Sequence, residues 1–409
     1  MKEFFNVKRI EEVLQLSAEF QQVGTQAVSI DQAHGRVLAS NIVAGENLPE
    51  FSRSTMDGYA VRASSTFGAS EGTPAYLVVT GSVAMGEVPQ LSIGPGEAAR
   101  ISTGGMLPGG ADAVVMVEHA AHLDDTTIEV YRSVAPGQHV IEAGEDMTRE
   151  AVMIPKGRQI RPQEIGLLAA LGIETVPVFK LPDIGIISTG DEIVPIHEKP
   201  APGKIRDINS YTLAGLVEHA GGIPHTYGIV GDSFDDLLAV CSRALSETDM
   251  VLVSGGSSVG MRDFTIEAIS ALPDAGILVH GISISPGKPT ILARAGGKPF
   301  WGLPGHVVSA MVVFQTVVRP FIDRIRGVGE DARPPIQLTA RLSRNIPSAQ
   351  GRVDFVRVRL SERDGELLAE PILGKSGLIS TMVRADGLIK IGLNTEGLEK
   401  NTSVSVIPV

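Results

Sequence analysis

Five segments rich in glycine and hydroxyl side chains recur between residues 188 and 309: STGDE (188–192), VGDSFDD (230–236), SGGSSVGMRD (254–263), SPGKP (285–289) and LPGHVVS (303–309). Glycines let backbone N–H groups approach a ligand, hydroxyls add short donors, and a helix that starts after such a loop attracts anions. As a set they point to an anionic ligand, although tight strand-to-helix turns recruit glycine for their own reasons. Asp191, Glu192, Asp232 and Asp263 stand in the same segments and would repel a bare anion. The combination therefore calls for a hard divalent cation such as Mg²⁺, which takes one or two carboxylates and leaves its other positions to water and ligand phosphates. Asp232 can also serve as a helix cap, Asp191 as a turn former and Asp263 as a surface turn acid. Glu192 has no such structural advantage.

Lys288, between Gly287 and Pro289, can act as a point charge toward an oxyanion, or as a surface lysine in a Gly-Pro turn. The surrounding GISISPGKPT is not a P-loop: one residue too many separates Gly281 from Gly287, and Pro289 takes the place of a Mg²⁺-binding hydroxyl. There is no GxGxxG fingerprint and no HExxH, and His119 with His122 lacks nearby ligands for a catalytic zinc. Four further stretches carry reactive side chains: SRSTMDGYAVR (52–62), STGGMLPGGADAVV (102–115), GRVDF (351–355) and GKSGLIST (374–381). On chemistry alone, the first two read as turns of a β-rich region. The last two offer Arg352, Lys375, Ser376 and Ser380 to an oxyanion, or form a solvated edge.

The elements that must position these groups follow from apolar spacing. Ile10, Val13, Leu14, Phe20 and Val23 fit an amphipathic opening helix over 8–23. Residues 46–144 show short apolar runs broken by Gly, Pro and Asp and read as β-rich. A helix follows Pro162 and ends at Gly172. From 183 to 326, strands at 184–188, 225–230, 250–256 and 277–285 alternate with helices near 210–220, 234–246, 264–271 and 307–325. This βαβ pattern predicts a parallel sheet covered on both faces, with ligands at the carboxyl ends of its strands. Ser233 is placed to cap the helix after Asp232. After the proline pair at 334 and 335, FVRVRL (355–360), the Asp364-Gly365 turn signal and NTSVSV (401–406) predict a small antiparallel β domain. The expected organisation is a discontinuous N-terminal linker domain of helical and mixed character (1–45 and 145–180), a β-rich insertion domain (46–144), an α/β domain (181–327) and a C-terminal β domain (328–409).

Composition bounds the function. With 43% hydrophobic and 20% charged residues, the chain lies far from the disordered class. Thirty-five Lys and Arg against 47 Asp and Glu give a net charge of −12, which argues against nucleic acid as a main partner. Cys241 is the only cysteine, so neither an intrachain disulfide nor a thiolate metal cluster is available, as suits a reducing compartment. No run of 18 apolar residues occurs, and the expectation is a cytoplasmic protein with no membrane partner.

In order along the chain, STMDGYAVR, STGGMLPGGADAVVMVE, STGDEI, SGGSSVG followed by Asp263, SPGKP and LPGHVVSA resemble the molybdopterin molybdenumtransferase family, that is MoeA and the gephyrin E domain. The resemblance implies a homodimer of four-domain subunits, multidomain α/β plus β, with a MogA-like molybdopterin-binding α/β domain. It implies Mg²⁺-dependent hydrolysis of adenylylated molybdopterin coupled to ligation of molybdate by the dithiolene, with release of AMP and molybdenum cofactor. It implies transient contact with a MogA-type adenylyltransferase and with molybdoenzyme maturation factors.

By motif, Glu192, Asp232, Asp57 and Thr103 take catalytic roles, and Asp191, Glu192, Asp232 and Asp263 the metal. Ser254, Gly255, Gly256, Asp263, Lys288, Pro304, Gly305 and Ser309 take the substrate. Ser285, Lys288, Arg352 and Ser376 take the oxyanion. The resemblance places Asp57 and Thr103 in a domain that reaches the other subunit's site. The acidic and basic groups are expected to converge on one cleft. This chain departs from the pattern at Ser285, where many members have Lys, at His306 and Val307 within PGHVVS, and at Ser257. A tungstate-inserting paralogue and a non-catalytic molybdopterin-binding scaffold are the alternative readings.

Overall fold

The structure is a computed structural model and describes residues 7–255, 259–329 and 336–409, with the side chains of 259–263 excepted. The fold is multidomain α/β plus β, and the chain forms two compact units. One comprises residues up to Ser40, Lys156–Ile165 and Thr175–Val409, the other Asn41–Pro155 and Gly166–Glu174. The four-part division proposed from sequence is finer than this, because the α/β and C-terminal segments share the first unit.

The second unit is built on a six-stranded sheet in the order Ala113–Met116, Gly58–Val61, Glu97–Ile101, Ala75–Val83, Thr127–Val130, Ala120–His122. Its core is small and aliphatic. Val61, Leu77, Val115, Ile128 and Val130 are all fully or almost fully buried, as expected where alternate residues of each strand face one side.

In the first unit the α/β core is a six-stranded sheet of β1 (Asp183–Thr189), β2 (Ile223–Val230), β3 (Met250–Gly255), β4 (Gly276–His280), β5 (Ile291–Ala295) and β6 (Lys298–Leu303), in the order β2-β1-β3-β6-β5-β4. β2, β1, β3 and β6 run parallel, but β5 is antiparallel to β6 and to β4. The sheet is therefore mixed rather than wholly parallel. The cause is a tight hairpin at Gly296-Gly297, both at positive φ, between partners Ala295 and Lys298. β1 and β3, buried on both faces, read as near-continuous apolar runs, as central parallel strands do.

Helices α1 (Asn209–His219) and α4 (Val307–Val313) cover one face, and α2 (Phe234–Glu247) and α3 (Val259–Ser270) the other. Ser233 caps α2 as its position predicts, accepting from Asp236 N at 3.4 Å. The long helix expected over 307–325 is α4, a π turn at Phe314–Val318 and a second helical stretch, Arg319–Ile325. Val312, Val313, Val317, Phe321 and Ile322 are all fully buried there, and each contributes about 1.5–3 kcal/mol of burial. The opening helix is shorter than its apolar spacing suggests: Ile10–Gln15, then a 3₁₀ turn at Leu16–Glu19.

Cys241, on α2, is buried on the other face of the sheet with Leu237, Ala244 and Val251, and burial pushes its thiol up to about 12. It is an inert packing residue. Among the described residues, no helix is long and apolar enough to cross a membrane.

The C-terminal segment closes into a five-stranded barrel. Val353–Arg363, Glu366–Pro371, Leu338–Leu342, Ser403–Pro408 and Gly387–Ile391 pair in that order, and the last pairs back with the first. All the pairings are antiparallel except that of Leu338–Leu342 with Glu366–Pro371. Asp364-Gly365 forms the expected hairpin turn, both residues at positive φ. The apolar run expected as one strand over 277–285 breaks after His280. Its end, Ile284–Ser285, leaves the α/β sheet and joins the barrel sheet, with Ile284 opposite Val353 and Ser285 opposite Asp354.

Candidate active site

Two groups of candidate residues take shape along one edge of the α/β core. The first stands where β1 and β2 end. Asp191 Oδ1 accepts from Asp232 N at 3.0 Å, and the Lys204 ammonium donates to the Asp191 carbonyl. A Cβ on Gly190 would come within 2.6 Å of Glu192 Oε2, so the Glu192 carboxylate lies folded over that glycine. Burial, reinforced by the negative charges of Asp191 and Glu192, raises the Asp232 carboxyl above its ordinary value. Like charges held close behave this way, and a cation would relieve them. Exposed carboxylates are the hard oxygen donors that Mg²⁺ takes. Even so, among the described residues no three His, Cys, Asp or Glu side chains form a ready-made metal cluster. Gly256 and the Asp263 side chain lie outside the described residues.

The second group forms a cavity of about 590 Å³ at the seam between the α/β core and the barrel. Ser285, Lys288, Arg352 and Ser376 all line it, with Pro304 and Ser309. The sequence-predicted oxyanion set is thus brought together from three segments distant in the chain. The 285–290 loop is fixed internally: Ile282 N and Thr290 N both donate to the Lys288 carbonyl at 2.9 Å, and Thr290 Oγ1 donates to Gly287 O at 2.7 Å. Arg352 Nε pairs with Asp354 Oδ1 at 3.0 Å. The Ser376 carbonyl accepts from Val308 N at 3.0 Å, and its hydroxyl lies 2.8 Å from His306 Nδ1.

Between the groups stands Asn209, a residue the sequence reading passed over. Its Nδ2 donates to Ser254 Oγ at 2.6 Å and to the Gly305 carbonyl at 2.8 Å, tying the end of β3 to the loop after β6. Asn209 Oδ1 and Thr189 Oγ1 are buried at the same edge with no hydrogen-bond partner among the described residues. A buried acceptor and hydroxyl left open cost about 1–3 kcal/mol each unless a ligand or water meets them. Gly255 holds the close approach here, because a Cβ on it would collide with the Thr189 carbonyl. The polar run Asp207-Ile208-Asn209-Ser210, just ahead of an amphipathic helix, was the available signal. Asp207 Oδ1 accepts from Ser188 Oγ and from Ser210 N.

The single cleft expected from sequence is therefore an extended edge. Asp191, Glu192 and Asp232 do not line the cationic cavity. From β2 to β6 is three inter-strand steps, about 14 Å at about 4.8 Å each. In the second unit, Asp57 and Thr103 meet: Thr103 N and Oγ1 donate to Asp57 Oδ1 at 2.7 and 3.1 Å.

An extended edge with carboxylates at one end, orphaned polar atoms in the middle and cations with hydroxyls at the other suits a long, charged ligand, and the similarities of the chain agree. Residues 8–172 match the family model described as MoeA N-terminal region (domain I and II), 185–324 that described as probable molybdopterin binding domain, and 339–409 the MoeA C-terminal region (domain IV). The molybdopterin molybdenumtransferase of Bacillus subtilis is 32% identical over 403 residues, which cover 97% of this chain and 93% of that protein. The chain belongs to the MoeA family of molybdopterin molybdenumtransferases. The Haemophilus influenzae member is 31% identical over 94% of each chain. A crystal structure of a molybdopterin biosynthesis MoeA protein from Pyrococcus horikoshii matches 99% of this chain and 100% of its own at 32% identity, with a TM-score of 0.83. The MoeA fold so assigned has a core of mixed sheet, not a purely parallel one.

Proposed function

We propose that the chain is a molybdenum insertase that hydrolyses adenylylated molybdopterin with Mg²⁺ and ligates molybdate to the dithiolene, releasing AMP and molybdenum cofactor. The observation that carries this reading is the cavity in which Lys288, Arg352, Ser309 and Ser376 converge, a set of charged and hydroxyl donors suited to a tetrahedral oxyanion. The orphaned Asn209 Oδ1 and Thr189 Oγ1 would meet the polar edge of the pterin, with Ser254, Gly255 and Gly305 shaping the floor beneath it. Pro304 and Lys288 would flank the end at which the oxyanion is taken up.

Asp191, Glu192 and Asp232 would hold Mg²⁺, with Asp263 as the fourth candidate, and the cation would neutralise charge on the phosphate bridge. Glu192 and Asp232 would orient water toward that bridge and accept its proton. Asp57 and Thr103 keep a proposed catalytic role, the carboxylate fixing the hydroxyl. The reading includes a cytoplasmic homodimer and transient partners in cofactor assembly, and light scattering tests the dimer.

The test is incubation of the purified protein with adenylylated molybdopterin, Mg²⁺ and molybdate. AMP release together with active cofactor is the expected result. Binding without AMP release would overturn the reading in favour of a scaffold, and turnover with tungstate alone would assign the paralogue role.

A further inference from the structure

His306 lines the oxyanion cavity and no role has been given to it. It precedes α4, its side chain is exposed, and its Nδ1 stands 2.8 Å from the Ser376 hydroxyl, across the seam between the α/β core and the barrel. That contact has two states with opposite meaning for an anion. A bare Nδ1 accepts the single Ser376 proton, leaving only oxygen lone pairs for the cavity. A protonated Nδ1 donates to Ser376 Oγ and frees the hydroxyl proton to donate elsewhere. An oxyanion brings only acceptors, so it binds the second state.

Charge selects between the neutral and the cationic ring. Among the described residues, the charged groups at the cavity are Lys288 and Arg352, with Arg352 already paired to Asp354. Two cations and one anion leave one net positive charge against a tetrahedral dianion. Lys375 precedes Ser376 but is exposed and does not line the cavity, and Glu396 is engaged by the amide of Gln350. The Nδ1–H tautomer of a neutral ring would free the hydroxyl, but it leaves the charge uncorrected. The imidazolium does both.

We propose that His306 is a proton-dependent specificity element of this cavity: binding a divalent oxyanion takes up one proton from solution onto its ring, which turns the Ser376 hydroxyl inward and balances the bound charge. The proposal rests on the cavity being the oxyanion site. It makes His306 a positioning residue acting through Ser376, and it favours dianions over monoanions of similar size. Imidazole is the side chain suited to such a role near neutral pH.

The test is calorimetric titration of the full-length protein with molybdate from about pH 6 to about pH 8.5, a range in which imidazoles commonly titrate. Buffers of different ionisation enthalpy count the protons taken up. For the wild type the expected result is an affinity that falls with rising pH, by at most about tenfold per unit for one linked proton, with proton uptake approaching one. His306→Asn and His306→Gln, which cannot carry the charge, should bind with no uptake and no slope. A flat wild-type profile overturns the proposal, as does a slope that survives in both variants. Lys288→Ala and Arg352→Ala separate it from the underlying reading. If they leave molybdate affinity unchanged, the cavity is not the oxyanion site; if they abolish it while the wild type shows no proton uptake, only the role of His306 falls.

Discussion

Gly287→Ala is the sharpest test of how this fold holds the 285–290 loop. Gly287 has φ +118°, a region in which an L side chain is strained by about 1–3 kcal/mol. An added Cβ would also collide with Val313 Cγ2 and come within 3.1 Å of Ile284 Cδ1. Val313 is fully buried and β-branched, so it cannot rotate aside, and such overpacking costs about another 1–3 kcal/mol. The sum is a loss of about 2–6 kcal/mol in the unit that carries the loop. Trp301 reports on it, being the only tryptophan, fully buried and 4.9 Å edge-on from Phe321 in the same core. Urea unfolding followed by Trp301 fluorescence should show the loss, and any folded variant should bind molybdate more weakly because Lys288 is displaced. Val313→Ala in the Gly287→Ala background should recover part of the collision but none of the φ strain. A change below about 0.5 kcal/mol for Gly287→Ala would refute the reasoning, since that is the range of ordinary surface substitutions.

Glu192→Gln should abolish AMP release, by at least about a hundredfold as for loss of a general base, while leaving unfolding unchanged; wild-type turnover would remove Glu192 from catalysis. Lys288→Ala should raise the molybdate concentration for half-maximal turnover about tenfold or more, the cost of one charge-assisted hydrogen bond, and unchanged saturation would exclude it. Glu164 is buried, which by itself would raise its carboxyl, but Arg161 at 2.6 Å holds it down at about 2. A depressed folded value contributes stability above the ordinary carboxylate range and loses it as pH falls toward about 2. Glu164→Gln should therefore destabilise at neutral pH, on the order of 1 kcal/mol, and converge with wild type in acid. A difference that is independent of pH would show the effect to be packing.

The sequence was most readable where one local signal decides one local geometry. Asp364-Gly365 marked a hairpin and Ser233 marked a cap, because both act within a few residues. The Gly296-Gly297 pair carried an equally good hairpin signal between ILARA and KPFWGL, and missing it made the sheet seem wholly parallel. Arg357, a charged residue within the alternating run FVRVRL, is only 8% exposed. The reason is tertiary: Val358 faces the barrel core while Val353 and Phe355 join the α/β core, so both faces of that strand are covered. Burial lowers the Arg357 guanidinium, which donates to Thr381 Oγ1 at 3.0 Å and to the Gly374 carbonyl at 2.8 Å, securing the loop that carries Ser376. Motif reading picked out candidate residues, because glycine, hydroxyl and charge cluster in sequence. It could not show that they string out along an edge, since spacing within a motif says nothing about strand order.

The two-residue pairing of Ile284-Ser285 with Val353-Asp354 works as a stitch holding two fabrics together. Successive residues on a strand face opposite ways, so shifting that seam by a single position would exchange the neighbours Ser285 and Ile284 present to the barrel. Homologues that lengthen the stretch between His280 and Lys288 would have to re-thread the join before altering what they grip, whereas additions at the barrel's far hairpin, Asp364-Gly365, would leave it untouched.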